Sequence, residues 1–170
     1  MAVVTLKASQ VTNADATTQT LNNSKVTNGR IKEIADTIEL TSGDSIASIY
    51  RMARVHSSWR LTELLLQCDA ITTCAGDIGL YDTAANGGAV VDVDCFASAQ
   101  SLATAIIPGT NVMGEAAAVF GDIANVRKSI WEVLGLSADP NKFYDVAVTL
   151  TAAAGSAGTV STKVRYVDGN

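Results

Sequence analysis

The chain has 170 residues, which suits one domain with room for an extended arm and is short for two full domains. Its formal net charge is −5 and its Lys and Arg residues form no cluster, so the composition argues against a nucleic-acid-binding face and against association with anionic membranes. Only 5% of the residues are aromatic, and the small and β-branched residues that dominate favour a mostly β protein.

Residues 1–30 differ from the rest of the chain, because they are rich in Thr, Asn and Ser and contain no aromatic residue. Their apolar residues are too sparse to build a core: Val3, Val4, Leu6, Val11, Leu21 and Val26. One interpretation is a disordered terminus. The other is an extended N-terminal arm that orders on a neighbouring subunit, where strand-like pairing supplies the affinity. We take residues 1–30 as the arm, with these six residues as its candidate partner-binding positions, and residues 31–170 as the domain.

Alternation of apolar and polar residues predicts three strands between residues 31 and 71. The first, 31–40, places Ile34, Ile38 and Leu40 on one side. The second, 45–55, has Ala47, Ile49, Ala53 and Val55 on its apolar side, and as a strand it sends Arg51 and Arg54 to opposite faces. The third, 59–71, fits either a helix face through Leu61, Leu64 and Leu65 or a strand face through Leu64, Leu66 and Cys68. We favour the strand, because strands are predicted around it and no good cap completes the helix.

The next part of the chain predicts a hairpin. A short strand over 77–82 is followed by the turn 85–88, in which Asn86-Gly87 is a strong hairpin pattern because both residues tolerate positive φ. A strand over 89–96 comes next, and the FASAQSLATA sequence from Phe96 indicates a helical turn or short helix. Residues 108–120 show little periodicity and receive no assignment.

One helix is predicted between Asp122, its cap, and Gly135, which lies near its end, with Pro140 beyond. Its apolar face comprises Ile123, Val126, Ile130, Trp131 and Leu134. Two long alternating strands follow, which we expect to pair with each other across the flexible AAAGSAG sequence. Their apolar faces are formed by Tyr144, Val146, Val148 and Leu150, then by Val160, Thr162, Val164 and Tyr166.

Six to eight strands with one short helix and short turns predict an antiparallel β-sandwich, and the strand count and uneven loops favour the jelly-roll type. The three cysteines, Cys68, Cys74 and Cys95, are an odd number with no CxxC pair, so we expect buried free thiols formed in a reducing cytoplasm. A disulfide between two of them is the alternative. The N-terminus lacks the apolar core of a signal peptide and no stretch approaches 18 apolar residues, so we expect neither export by that route nor a membrane span.

Reactive groups are few. The sole histidine, His56, precedes Ser57 and Ser58, but adjacent strand residues point to opposite faces, so we expect a turn histidine bonded to backbone instead of a catalytic base. Asp92 and Asp94 share a strand face, with Asp77 or Asp82 as possible neighbours. These carboxylates could bind calcium or manganese, but we favour the alternative, a solvated strand face, and therefore assign no metal site. Four aromatic residues could form a sugar-stacking platform, although each falls in a predicted core element: Tyr50, Trp59, Tyr81 and Trp131.

The chain resembles the small capsid cement (decoration) proteins of tailed bacteriophages in three stretches: SGDSIASIYRMARVHSSWRLTELLLQCDAI, DIGLYDTAANGGAVVDVDCFASAQSL and WEVLGLSADPNKFYDVAVTLTAAAGSAGTVSTKVRYVDGN. The likeness covers about residues 44–170 and is an overall pattern without a catalytic motif. Residues 1–30 match least well. The resemblance implies a jelly roll on the outer surface of an icosahedral shell, commonly a dimer, with the major capsid protein as principal partner, no enzymatic activity and no cofactor.

We therefore expect a structural virion protein, made in the bacterial host cytoplasm, that binds the outside of the head and stabilises the major capsid protein lattice. Three alternatives remain open. A head–tail connector or tail-fibre component of the same virion would form rings or trimers. A carbohydrate-binding sandwich would present an exposed aromatic row, and an enzyme would need a pocket that converges on His56 or on the aspartates.

Overall fold

A computed structural model describes residues 4–18, 20–115 and 119–168 of the chain. In this described part, eight strands and two short helices follow one another. The helices are α1 (Ser9–Ala14) and α2 (Ile130–Val133). The strands are β1 (Lys32–Leu40), β2 (Ile49–His56), β3 (Arg60–Cys68), β4 (Ala75–Asp82), β5 (Val90–Ser101), β6 (Ile106–Asn111), β7 (Phe143–Ala152) and β8 (Gly158–Val167).

The strands form two antiparallel four-stranded sheets, with the orders β1-β8-β3-β6 and β2-β7-β4-β5. Every connection between consecutive strands passes from one sheet to the other, except that between β4 and β5. Eight strands alternating in this way between two facing sheets form a jelly roll. The predicted mostly β sandwich of the jelly-roll type is therefore confirmed.

The core lies between the two sheets and is built from the faces that alternation predicts, except at the start of the second predicted strand, where Ala47 and Ile49 are exposed. Ile34 and Ile38 of β1 are half-buried against the core, and Leu40 is fully buried. Leu64, Leu66 and Cys68 are buried, so the ambiguous third segment is a strand, as predicted. The apolar faces of the last two strands are also buried: Tyr144, Val146, Val148 and Leu150, then Val160, Thr162, Val164 and Tyr166.

A β-bulge in β2 makes one prediction wrong. The register of β2 against β7 pairs Arg51 with Ala147 and Ala53 with Val146, so Met52 is an extra residue. A bulge reverses the alternation beyond it. Arg51 and Arg54 therefore lie on the same face instead of opposite faces.

The β4–β5 hairpin is confirmed, although its strands differ from the prediction. Gly87 and Gly88 have the positive φ angles of the turn, after a 3₁₀ turn at Ala84–Asn86. β5 continues to Ser101, so the helical turn predicted after Phe96 is wrong. The backbone N–H of Ala99, at a positive φ of 48°, donates to the Asp77 carboxylate at 2.7 Å, which ties this part of β5 to β4.

Between Ile78 and Leu80, β5 buckles over the middle of β4. Ile78 lies opposite Ala97 and Leu80 lies opposite Asp92, so β5 contains extra residues that have no partner on β4. The backbone of this excursion passes directly above Gly79: an added Cβ would lie 2.2 Å from the Asp92 carbonyl oxygen. The absence of a side chain at Gly79 is what permits this close approach.

The single helix predicted from Asp122 to Leu134 is wrong, because two short elements occupy its place. The Asp122 side chain does cap, accepting from the Ala124 N–H at 2.8 Å, but it begins only a 3₁₀ turn at Ile123–Asn125. Ser129 then starts α2, and its N–H donates to the Glu132 carboxylate at 2.7 Å in a capping box. Because a new helix starts at Ser129, the residues predicted to form one apolar helix face belong to two separate elements.

The last two strands do not pair with each other as expected. β7 lies between β2 and β4, whereas β8 lies between β1 and β3. The AAAGSAG sequence thus joins the two sheets instead of closing a hairpin. Residues 108–120 contain the end of β6 and the 3₁₀ turns Val112–Gly114 and Val119–Gly121, whose Met113 and Phe120 are buried.

Candidate partner-binding surface

The N-terminal segment presents most of its predicted partner-binding residues to solvent. Val4, Leu6 and Leu21 are 70%, 87% and 88% exposed, and Val11 is also exposed. Val26 is half-buried, and Val3 lies outside the described residues. α1 contains no buried residue. The described residues 4–18, 20 and 21 therefore place no large apolar side chain in the core of their own domain.

Residues 23–29 attach this segment to the domain. Lys25 donates from Nζ to the Ser58 carbonyl at 2.8 Å, and Arg60 donates from Nε to the Lys25 carbonyl at 2.7 Å. Gly29 fits against Val167, because an added Cβ would lie 2.4 Å from Val167 Cγ1. The attachment to the domain, through Lys25 and Gly29, thus follows Leu21, the last of the exposed apolar positions.

The described residues before residue 23 contact mainly one another. Asn13 donates to the Asn22 side chain at 2.8 Å. Lys7 and Asp15, whose side chains are both exposed, form an ion pair at 2.6 Å. Exposed ion pairs of this kind contribute little stability. A longer hydrogen bond joins this segment to the domain: Arg127 donates to the Ser9 hydroxyl at 3.3 Å.

A groove of 390 Å³ lies between β3 and residues 111–114 and 120–128. Phe120, Leu61 and Met113 form part of its buried wall. Ile123 and Val126 line it as well, yet they are 90% and 62% exposed, the reverse of the burial that the helix prediction gave them. No sequence pattern separated these two residues from core residues, because their spacing equals that of a buried helix face.

A second groove of 440 Å³ adjoins the first. Both are lined by Val133, and Val119 and Phe120 are neighbours that line one groove each. The charged residues that line the second groove are Asp92 and Lys142. Its other lining residues are mainly apolar: Val91, Val119, Val133, Leu134, Leu136, Pro140 and Tyr144. We call the two grooves together the groove face.

His56 closes the turn between β2 and β3, as predicted. Its Nδ1 accepts from the Ser58 N–H at 3.2 Å and lies 2.8 Å from the Ser58 hydroxyl. Ser57 is fully buried and donates its hydroxyl to Asp139, while Phe143 packs edge-on against the imidazole. The serine–aspartate contact bypasses the imidazole, so these residues do not form the relay of a serine hydrolase.

The aspartates considered as metal ligands are separated. Asp77 accepts from the Ala99 N–H and Asp82 pairs with Lys142 at 2.6 Å, while Asp92 accepts from the Asp94 N–H at 3.4 Å. Among the residues that the structure describes, no group of three or more His, Cys, Asp or Glu side chains is placed to hold a metal ion.

The aromatic side chains considered for sugar stacking contact the protein itself. Trp59 stacks on Tyr166 with ring centroids 4.0 Å apart, and buried Tyr81 hydrogen-bonds Thr149 at 2.7 Å. Tyr50 donates to Asp44 at 2.5 Å; Trp131 is half-buried. These four side chains do not form an exposed row.

All three cysteines are free and buried, as expected. Burial raises the pKa of the Cys68, Cys74 and Cys95 thiols, so they remain protonated and unreactive in the folded chain. Across the described residues, no helix is long and apolar enough to span a membrane.

The bulge in β2 assembles a charge cluster on the outer face of its sheet. Asp145, only 5% exposed, accepts from Arg51 at 2.9 Å and from Arg54 at 2.8 Å. Arg51 also donates to the Asp82 and Gly88 carbonyls, which joins the hairpin to β2. Burial raises the pKa of Asp145, but the hydrogen bonds and charges of Arg54 and Arg51 outweigh it, so the pKa lies below its usual 3.8.

Replacing Asp145 with Asn should lower the free energy of unfolding by about 2 kcal/mol near neutral pH, because two guanidinium groups lose a nearly buried carboxylate. A carboxylate whose pKa is depressed by folding stabilises the native state above its unfolded pKa, and this stabilisation is lost as the pH falls through the folded pKa. The difference between wild type and Asp145→Asn should therefore shrink as the pH falls below about 5. Urea unfolding at several pH values measures it, and a constant difference would contradict this account.

Comparison with known proteins relates the fold to phage capsids. The chain is similar to one in the cyanophage Pam1 capsid asymmetric unit, with a TM-score of 0.53, 13% identity, and coverage of 91% of this chain and 94% of that chain. A chain of the Ralstonia phage GP4 capsid gives a TM-score of 0.47 and 16% identity, covering 82% and 86%. No protein-family model and no curated protein matches the sequence. The likeness to the Pam1 chain shows a shared fold.

Proposed function

We propose that this chain is a non-enzymatic structural protein of a tailed-phage virion. The observation that carries the proposal is the jelly roll shared, over nearly the whole of both chains, with a component of the Pam1 capsid asymmetric unit. The likeness between the 44–170 sequence and capsid cement proteins is a separate argument in the same direction. The contacts around His56 and Asp92, which join these side chains to their own backbone, also favour a structural role.

Within the virion, the proposed role is decoration: the protein binds the outer surface of the icosahedral head and stabilises the lattice of the major capsid protein. The exposed apolar residues of the N-terminal segment support it, because they add nothing to their own core and offer contact area to a partner. The proposed contact residues are those of the sequence prediction: Val3, Val4, Leu6, Val11, Leu21 and Val26.

A decoration protein stabilises the shell by linkage, since a ligand that binds only the assembled lattice lowers the free energy of that lattice. We favour a dimer as the binding unit. When one copy of a dimer is bound, the second engages its site at a high effective concentration, so each contact can be weak. Many copies per shell then add their increments.

The direct test is to mix the purified protein with expanded empty shells and measure bound copies per shell together with the disruption temperature of the shells. Saturable decoration at a ratio that follows the surface lattice, with a raised disruption temperature, is the expected result. Occupancy confined to one vertex would instead identify a head–tail connector. The absence of binding to shells and to tails would exclude a virion role of either kind.

A further inference from the structure

The groove face carries an unusual share of exposed apolar side chains. Six large apolar residues on it or beside it are exposed and therefore bury little surface in the core of the sandwich: Val90, Val91, Val119, Ile123, Val126 and Leu136. They come from the start of β5, from residues 119–126 with the 3₁₀ turns Val119–Gly121 and Ile123–Asn125, and from the loop after α2. Several large apolar side chains exposed on one face are typical of a protein–protein contact.

One half of the groove face has an excess of positive charge. Arg60 and Lys128 line the first groove, and Arg127 is the next residue to Lys128. Within the described chain, none of these three has a carboxylate within ion-pair distance; Arg60 and Lys128 donate to oxygens of Lys25 and Asn125 instead. The one carboxylate lining this half, Asp122, caps the turn at Ala124.

The other half has an excess of negative charge. Asp92 and Lys142 line the second groove, but Lys142 is neutralised by Asp82 at 2.6 Å. Asp92 and the exposed Asp94 beside it have no cation within ion-pair distance among the described residues. Burial raises the pKa of the Asp92 carboxyl, as expected where a carboxylate leaves water without a cation beside it.

We propose that the groove face binds the same face of a second copy about a two-fold axis, so that the basic half of each copy covers the acidic half of the other. An isologous interface must be complementary to itself, and adjoining halves of opposite excess charge around a shared apolar centre meet that requirement. This inference deepens the proposed dimer by naming its surface. The Arg60–Lys128 half of one copy faces Asp92 of the other.

Charge exchange tests the pairing. Sedimentation equilibrium of the full chain should show a dimer whose dissociation constant rises with salt. Lys128→Glu and Asp92→Lys should each raise that constant about tenfold or more, and combining them should recover most of the loss, because opposite charges again face each other. Lys163→Glu, on the outer face of β8, is the matched control and should leave the constant unchanged.

The apolar centre is tested separately. Ile123→Asp should raise the dissociation constant about 100-fold. The unfolding midpoint, measured at concentrations where both proteins are monomeric, should stay unchanged, because the side chain is 90% exposed within one copy. Ile46→Asp is the control: Ile46 is also largely exposed but precedes β2, outside the groove face.

These experiments test separately whether the chain dimerises, whether the groove face is the dimer interface, and whether the protein decorates shells. A monomeric wild-type chain would overturn the dimer and its surface together. A dimer that tolerates Lys128→Glu and Ile123→Asp would overturn the surface alone. Both results are obtained without shells, so failure to decorate shells leaves them unaffected.

Discussion

Replacing Gly79 with alanine should lower the free energy of unfolding by about 3 kcal/mol, a large effect for one methyl group. The new Cβ would lie 2.2 Å from the Asp92 carbonyl oxygen and 2.3 Å from the Val93 carbonyl carbon. Both are backbone atoms of the β5 excursion, which no side-chain rotation can move. Relief would require shifting β5, and its buried Cys95 and Phe96 resist that shift.

Urea unfolding followed by circular dichroism measures this effect. Gly114→Ala is the matched control, since an added Cβ there would meet nothing within 4 Å, and its cost should stay below about 0.5 kcal/mol. If both variants unfold at the wild-type midpoint, β5 does not cross Gly79 as described.

Removing residues 1–22 should weaken binding to expanded shells by about 100-fold while leaving the unfolding midpoint unchanged. Burying one exposed leucine contributes about 1.5 kcal/mol, so the loss of Leu6 and Leu21 alone accounts for about 3 kcal/mol. The deletion ends before Lys25 and Gly29, which attach the segment to the domain. Deleting to residue 30 would confuse lost affinity with lost packing.

Two double variants test whether shell binding depends on the apolar side chains of the segment or only on the presence of the segment. Leu6→Asp with Leu21→Asp should reproduce most of the deletion's effect on shell binding. Thr5→Asp with Thr20→Asp adds the same charge at exposed neighbouring positions but keeps both leucines, and should bind within about threefold of wild type. Equal binding by all variants in a shell-sedimentation assay would refute the contact role of the segment.

The sandwich could be predicted from alternation because the apolar sides of β1, β3, β7 and β8 face the core. Val146 and Val148 of β7, for example, are buried where alternation alone placed them. Partner choice between strands was beyond this reasoning: two adjacent alternating strands look like a hairpin, whereas β7 and β8 lie in opposite sheets. Only the three-dimensional crossing of the chain decides that.

Other differences have local causes. The extra residue Met52 shifts the alternation in β2, and no composition rule marks a bulge. Ile123 and Val126 have the spacing of a buried helix face, but the second cap at Ser129 interrupts the helix and leaves both exposed. The apolar residues of the N-terminal segment were identifiable because they stood isolated in a polar stretch. The groove face was not, because it joins residues from distant parts of the chain.

The position of β8 has a consequence for synthesis. β8 is the last strand in the described chain, yet it alone connects β1 to β3, pairing with Lys32 and Arg60 near its end. The first sheet therefore cannot assemble until β8, which lies far beyond β1 and β3 in the chain, has left the ribosome. Such distant pairings slow folding, and nascent β1 and β3 keep unpaired edges open to other chains during the delay. A lower expression level, which reduces the concentration of chains with open edges, should accordingly raise the yield of native protein.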